Sequence, residues 1–209
     1  MIKKIFASVT LAAMIVCTPI YANTISIGAS ADNWINSCSS GSFDNNGDFD
    51  QIRVRSAWWG PSGGEVKTFR SIMKFDLSSL DPSVPIISAT LKLYRYRIDE
   101  DPTGRTYDIH ALTNSWTEMG STWNYRDNYD IPGSEVPWDS YTNGNPSYKP
   151  GGGDFISTPA ASTIVSSEIG WMEWDITSLV NAWLSGDIVN NVLIIKDNDE
   201  ITTKPQGGN

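Results

Sequence analysis

Apolar side chains recur at every second position along most of this chain, and that period constrains its fold more than any other feature. The run Ile87-Ser88-Ala89-Thr90-Leu91-Lys92-Leu93-Tyr94 is typical, and residues 52–56, 69–75, 107–112, 169–174 and 191–196 read the same way. A period of two turns one set of side chains to a core and the other away from it, as in a half-buried β-strand. Clusters of Gly, Pro, Asn and Asp separate the runs and supply turn chemistry. One helix is expected, from Thr177 or Ser178 to Leu184, stopped by Ser185-Gly186. Short strands, long loops and one small helix predict an all-β fold: an antiparallel β-sandwich of jelly-roll type.

Two segments ninety-nine residues apart echo each other: Phe75-Asp76-Leu77-Ser78-Ser79-Leu80 and Trp174-Asp175-Ile176-Thr177-Ser178-Leu179. Each ends an alternating stretch. The Asp can accept backbone N–H bonds from two or three residues on, turning the chain out of extension. The hydroxyl suits the cap of a short helix or loop, and the Leu returns to the core. The echo marks two similar strand exits rather than a catalytic motif.

The N-terminus reads as a secretory signal over residues 1–22. Lys3 and Lys4 form the basic region, Ile5 to Val16 the apolar region, and Ile20-Tyr21-Ala22 the cleavage site. The mature chain then starts near Asn23, forms one domain over 23–209, and is secreted. No later stretch has the roughly 18 to 20 apolar residues of a membrane span, so membrane insertion is not expected. Without Lys3 and Lys4, 13 basic residues face 24 acidic ones, a formal charge of −11. That balance argues against nucleic acid as a partner. Cys38 is the only mature cysteine and His110 the only histidine. No internal disulfide is therefore expected, and histidine-based metal sites or Ser–His–Asp hydrolysis are poorly supplied. His110 lies mid-strand and reads as a structural residue.

The blocks so far resemble the core of the DNRLRE-domain family. Phe75 to Leu80 followed by Ile87 to Tyr94 is similar to its "FDLSSLP…I.SATLRLY" segment. Trp116-Thr117-Glu118 with Ser121-Thr122-Trp123-Asn124 is similar to "W.E…TW", and the run Trp174 to Gly186 to "DVT.LV..WL.G". Asp32-Asn33-Trp34-Ile35 resembles the opening "ADTYI". The blocks span residues 29 to 197 in family order. The resemblance implies a non-catalytic jelly-roll sandwich, in some relatives a carbohydrate-binding module for acidic polysaccharides, in others part of a cell-envelope protein. Family members close with a further strand, "RPKLVVTY"; here Thr203-Lys204-Pro205-Gln206-Gly207-Gly208-Asn209 carries no apolar run. That final strand is expected to be missing, leaving an exposed edge and a route to self-association.

Alternation sorts the candidate site residues. With Ile52 and Val54 facing the core, Arg53, Arg55 and Trp59 face out; with Met73 and Phe75 in, Arg70 and Lys74 face out. With Leu91 and Leu93 in, Lys92, Tyr94 and Tyr96 face out. Nine of the 13 basic residues lie between Arg53 and Arg105. A basic face with flat rings suits an acidic polysaccharide, because rings stack on sugars and guanidinium groups grip carboxylate or sulfate in pairs of bonds. An ordinary solvated sheet face explains the same residues. Asp44, Asn46, Asp48 and Asp50 alternate around Gly47 like the first half of a calcium loop, so calcium is the one cofactor considered. Arg55 stands where such a loop needs its bidentate Glu, and an Asn-Gly turn accounts for the residues without an ion. Trp116, Trp123, Trp174 and Trp183 are expected in the core; Trp34, Trp59, Trp138, Tyr141 and Tyr148 are the freer aromatics.

The expected function is that of a secreted, non-catalytic carbohydrate-binding module for an acidic polysaccharide. The alternative is a structural or adhesion module of the cell envelope. An enzyme fits worst, since no nucleophile–base pair is apparent.

Overall fold

The computed structural model describes residues 2–3 by backbone alone, and residues 23–38, 42–59, 65–97, 104–140, 151–190 and 192–200, the side chains of 58, 59 and 65 excepted. The strands are β1 (Ile2–Lys3), β2 (Ala29–Asn36), β3 (Gln51–Ile52), β4 (Arg55–Trp59), β5 (Glu65–Phe75) and β6 (Thr90–Arg95). They continue as β7 (Thr106–Ala111), β8 (Tyr125–Asp127), β9 (Val136–Pro137), β10 (Ala161–Ile164) and β11 (Gly170–Asp175). Helix α1 (Thr177–Ser185) and β12 (Leu193–Asp197) complete the described chain. The expected strand at 52–56 is thus split in two, with residues 53–54 carrying the chain from one sheet to the other.

Two antiparallel sheets face each other. The four-stranded sheet has the order β11-β6-β1-β3. The six-stranded sheet runs β10-β7-β12-β5-β2, with β4 also pairing β5. Phe69 stands opposite both Asn36 and Arg55, so β2 and β4 lie on opposite edges of the long β5. The chain passes from sheet to sheet between β6 and β7, β10 and β11, and β11 and β12, as a jelly roll requires.

Alternation builds the core between the sheets. Leu91, Leu93, Met172 and Trp174 from one sheet meet Met73, Phe75, Ile109, Leu193 and Ile195 from the other, each at most 7 % exposed. Trp174 also donates its indole N–H to the Tyr107 carbonyl at 2.9 Å, so its polar edge is satisfied as its ring is buried. A second cluster lies on the far side of the six-stranded sheet. There Ile35, Ile72 and Ile194 are covered by Leu112, Trp116, Trp123 and Trp138. Residues 112–140, which hold the β8–β9 pair, and 151–156 therefore roof that sheet, while no described segment roofs the other.

Helix α1 closes one end of the sandwich with Leu179, Val180 and Trp183. Asn181 grips Ile86 twice, accepting its N–H and donating to its carbonyl, both at 2.9 Å. Gly186 ends the helix in the left-handed conformation (φ 80°). The two echoed Asp residues do what was expected: Asp76 accepts the Ser78 N–H at 2.9 Å and Asp175 the Thr177 N–H at 3.0 Å. The expected hydroxyl cap is absent. Ile176 holds the cap position without a side-chain bond, and the Thr177 hydroxyl instead accepts the Ala89 N–H and donates to Asp175.

Candidate functional site

The outer face of the four-stranded sheet carries the exposed ring of Trp171; the rings of Phe43 and Phe49, on the loop before β3, are exposed as well. Met172 and Trp174 turn inward on β11, so Trp171 and Glu173 turn outward. Leu91 and Leu93 do the same on β6, which sends Lys92 and Tyr94 outward. Register then sets Trp171 directly opposite Tyr94 and Glu173 directly opposite Lys92. The two rings meet edge to face, their centres 5.4 Å apart. The charges meet at 2.6 Å, with the Lys92 and Glu173 side chains 37 % and 53 % exposed. Trp171 itself is 52 % exposed. At the far side of the face, the Tyr96 hydroxyl donates to the Gln51 side-chain carbonyl. The result is a shallow platform with stacking surface at its centre and hydrogen-bonding groups around it, the arrangement that suits a flat, hydroxyl-rich ligand.

The basic residues singled out in the sequence do not form one face. Arg53 lies at the crossing between the sheets, its guanidinium 4.2 Å from the centre of the Trp34 ring, and half-buried Arg55 begins β4 just beyond. Arg70 and Lys74 do point away from the central core, but on the six-stranded sheet, on the opposite side of the molecule from Lys92. Both lie beneath the roof formed by residues 112–140 and 151–156. Arg70 sits between the rings of Trp123 and Phe155, pairs with Glu200 at 2.7 Å and donates to the Gly152 carbonyl at 2.6 Å. Lys74 donates to the Trp116 carbonyl at 3.0 Å. Those two cations hold the roof down. Lys92 and Tyr94 share the platform with Tyr96 nearby, while the Trp59 side chain lies outside the described residues.

The calcium-like loop is not gathered around a centre. Asn46 points inward and donates to the Trp34 carbonyl at 2.9 Å, whereas Asp44, Asp48 and Asp50 are exposed. Among the described residues, no group of three or more Asp, Glu, His or Cys side chains could hold a metal ion. Packing explains the turn: a Cβ on Gly47 would lie 2.8 Å from the Glu118 carbonyl. Asn45 donates to the carbonyls of Glu118 and Ser121 at 2.6 and 2.7 Å, and Asn33 to that of Ser121 at 2.8 Å.

The aromatics sort differently from expectation in two places. Trp116, Trp123, Trp174 and Trp183 are core residues as expected, but Trp138 is fully buried too, with its indole N–H on the Thr122 carbonyl at 3.0 Å. Trp34 is also buried, at 6 % exposure. Tyr141 and Tyr148 lie outside the described residues. Trp171 was missed, although Met172-Glu173-Trp174 carried the signal: if Trp174 faces in, Trp171 must face out. His110 is buried, with Nδ1 2.8 Å from the Ile156 carbonyl, and desolvation holds its pKa below the ordinary 6.5. Cys38 is buried and its thiol donates to Asn36 Oδ1 at 2.7 Å.

A jelly-roll sandwich with one ring-bearing open sheet face has the form of a binding module. The chain belongs to carbohydrate-binding module family 96, whose model matches residues 23–134. The match carries the carbohydrate-binding character that the DNRLRE resemblance implied, without that family's name. No curated protein matches the chain.

Proposed function

We propose that this chain is an exported, non-catalytic module that holds a polysaccharide on the outer face of its four-stranded sheet. The observation that carries this reading is the exposed Trp171–Tyr94 pair beside Lys92–Glu173. Residues two apart on a strand are about 6.7 Å apart, so both pairs lie within reach of adjacent sugars of one chain. Sugar rings stack on Trp171 and Tyr94, and hydroxyls bond Glu173, Lys92 and Gln51.

Acidic sugars are accommodated through Lys92. An exposed ion pair contributes only about 0–1 kcal/mol, so a uronate or sulfate group can compete with Glu173 for the ammonium. Stacking carries the affinity and the ionic contact tunes it, since Arg70 and Lys74 are committed beneath the roof.

Affinity electrophoresis in alginate, pectate and neutral glucan gels, with calcium and then with chelator, tests the reading. Trp171→Ala and Tyr94→Ala should each weaken retention, with Arg70→Lys as a control away from the face. Truncating a central binding residue typically costs about 2 kcal/mol, or roughly 30-fold in affinity. Retention of both variants equal to that of the parent would exclude this face. Loss of retention on chelation alone would revive an ion, with Asp44, Asp48 and Asp50 as first suspects.

A further inference from the structure

Strand β1 comes from the segment that reads as a leader, yet it sits inside the sheet that carries the platform. It lies between β6 and β3 and pairs with both walls. Ile2 stands opposite Ile52 and Arg95, and Lys3 opposite Gln51 and Tyr94. Ile52 and Arg95 are buried, at 0 % and 2 % exposure, so the Ile2 position belongs to the core side. Gln51 and Tyr94 are half-buried on the outer side, so the Lys3 position belongs to the platform side. Within its sheet β3 has no described neighbour other than β1, whereas β6 is held independently by β11 over six paired residues.

This seat cannot be filled by residues 2–3 in an exported chain. A leader whose apolar region enters the membrane keeps its basic end on the side from which it started. Lys3 and Lys4 form that end, so export places them and the folded domain on opposite sides of the membrane, whether or not the leader is then cut. Without a guest, β3 and β6 stand two strand spacings apart, about 9.5 Å, too far for their backbones to bond each other, although the Tyr96 hydroxyl still reaches the Gln51 side chain. Both walls then present backbone N–H and C=O groups that call for partners.

We propose that the seam between β3 and β6 in the exported protein is a peptide-binding groove, filled by an extended segment of a partner polypeptide that adds as a strand antiparallel to both walls. The register defines the guest: an apolar residue at the position paired with Ile52 and Arg95, then a basic or polar residue at the position paired with Gln51 and Tyr94. The inference rests on the proposed export of the chain but not on carbohydrate binding, since it concerns the backbone of the sheet and not the rings on it.

The test uses the exported, processed protein, its N-terminus verified by intact mass, and a synthetic peptide with the sequence of residues 1–6. Hydrogen exchange should slow about tenfold or more at the seam-facing amides of β3 and β6 when the peptide is added, and stay unchanged at β10. A peptide carrying Ile2→Asp and Lys3→Pro should have no effect. The proposal is overturned if those amides are already slow without peptide, which would mean the chain or a second copy closes the seam. It is equally overturned if saturating peptide leaves them fast. As a second reading, protein with Gln51→Cys should form a disulfide with a Lys3→Cys peptide much faster than protein with Ser162→Cys does; equal rates would count against the groove.

Discussion

Arg70 leaves β5 on the side opposite Met73, as alternation requires, and ends with its side chain only 12 % exposed. Between Trp123, Phe155, Glu200 and the Gly152 carbonyl, it behaves as an internal tie. Arg70→Ala takes from Glu200 its bidentate partner, leaving Lys196 at 3.8 Å, and should cost about 3 kcal/mol of stability in denaturant unfolding, as breaking a largely buried pair does. Gly152, at φ +73°, lies flat against the roof's Trp123: a Cβ there would lie 2.6 Å from the ring. Gly152→Ala should therefore lower stability by about 2–4 kcal/mol through left-handed strain and overpacking. His110 sets a pH dependence. Its folded pKa is depressed, so as pH falls below 6.5 the unfolded chain takes up a proton before the folded one does. Stability should decline through that window, and His110→Asn should flatten the decline in a series of thermal melts. Asp197, whose pKa burial raises, works in the opposite sense at lower pH, since the folded form then gains the proton first.

At the level of elements, what was legible in the sequence is what alternates. The β6 and β11 faces, the turn-forming Asp76 and Asp175, and the helix ended by Gly186 all follow from local pattern. Strand β10, with exposed Ser162 and Ile164, and β2, whose Asp32 to Asn36 are all buried, were not assigned as strands. Their burial is decided by neighbours far away in sequence. β2 lies between the core on one side and the Trp116–Trp123–Trp138 roof on the other, so no alternation survives. The roof leaves no such signal, because its prolines, glycines and scattered rings have no period. Only the fold shows that Trp138 points down. Trp138→Ala should cost about 3–5 kcal/mol and expose the second cluster to a hydrophobic dye, whereas Trp171→Ala should shift unfolding by no more than about 0.5 kcal/mol while weakening glycan binding. That contrast separates a roof tryptophan from a platform tryptophan.

Across the molecule, charge is spread so that no broad cationic surface arises among the described residues. Arg105 pairs with Asp197 at 2.9 Å, Arg95 donates to the Ser166 carbonyl at 2.7 Å, and Lys196 lies 3.8 Å from Glu200. Binding of an acidic polysaccharide should accordingly weaken only on the order of threefold between low and high salt, with Glu173→Gln raising affinity for uronate polymers and steepening the salt slope. The two sheets also differ in what covers them: tryptophan packing on one back, open rings on the other. With the proposed platform as its one adhesive side, such a body can coat a polymer strand but cannot tie two strands together. Adding the module to a dilute polysaccharide gel should thus leave its stiffness unchanged, whereas two copies fused in tandem should act as a crosslinker.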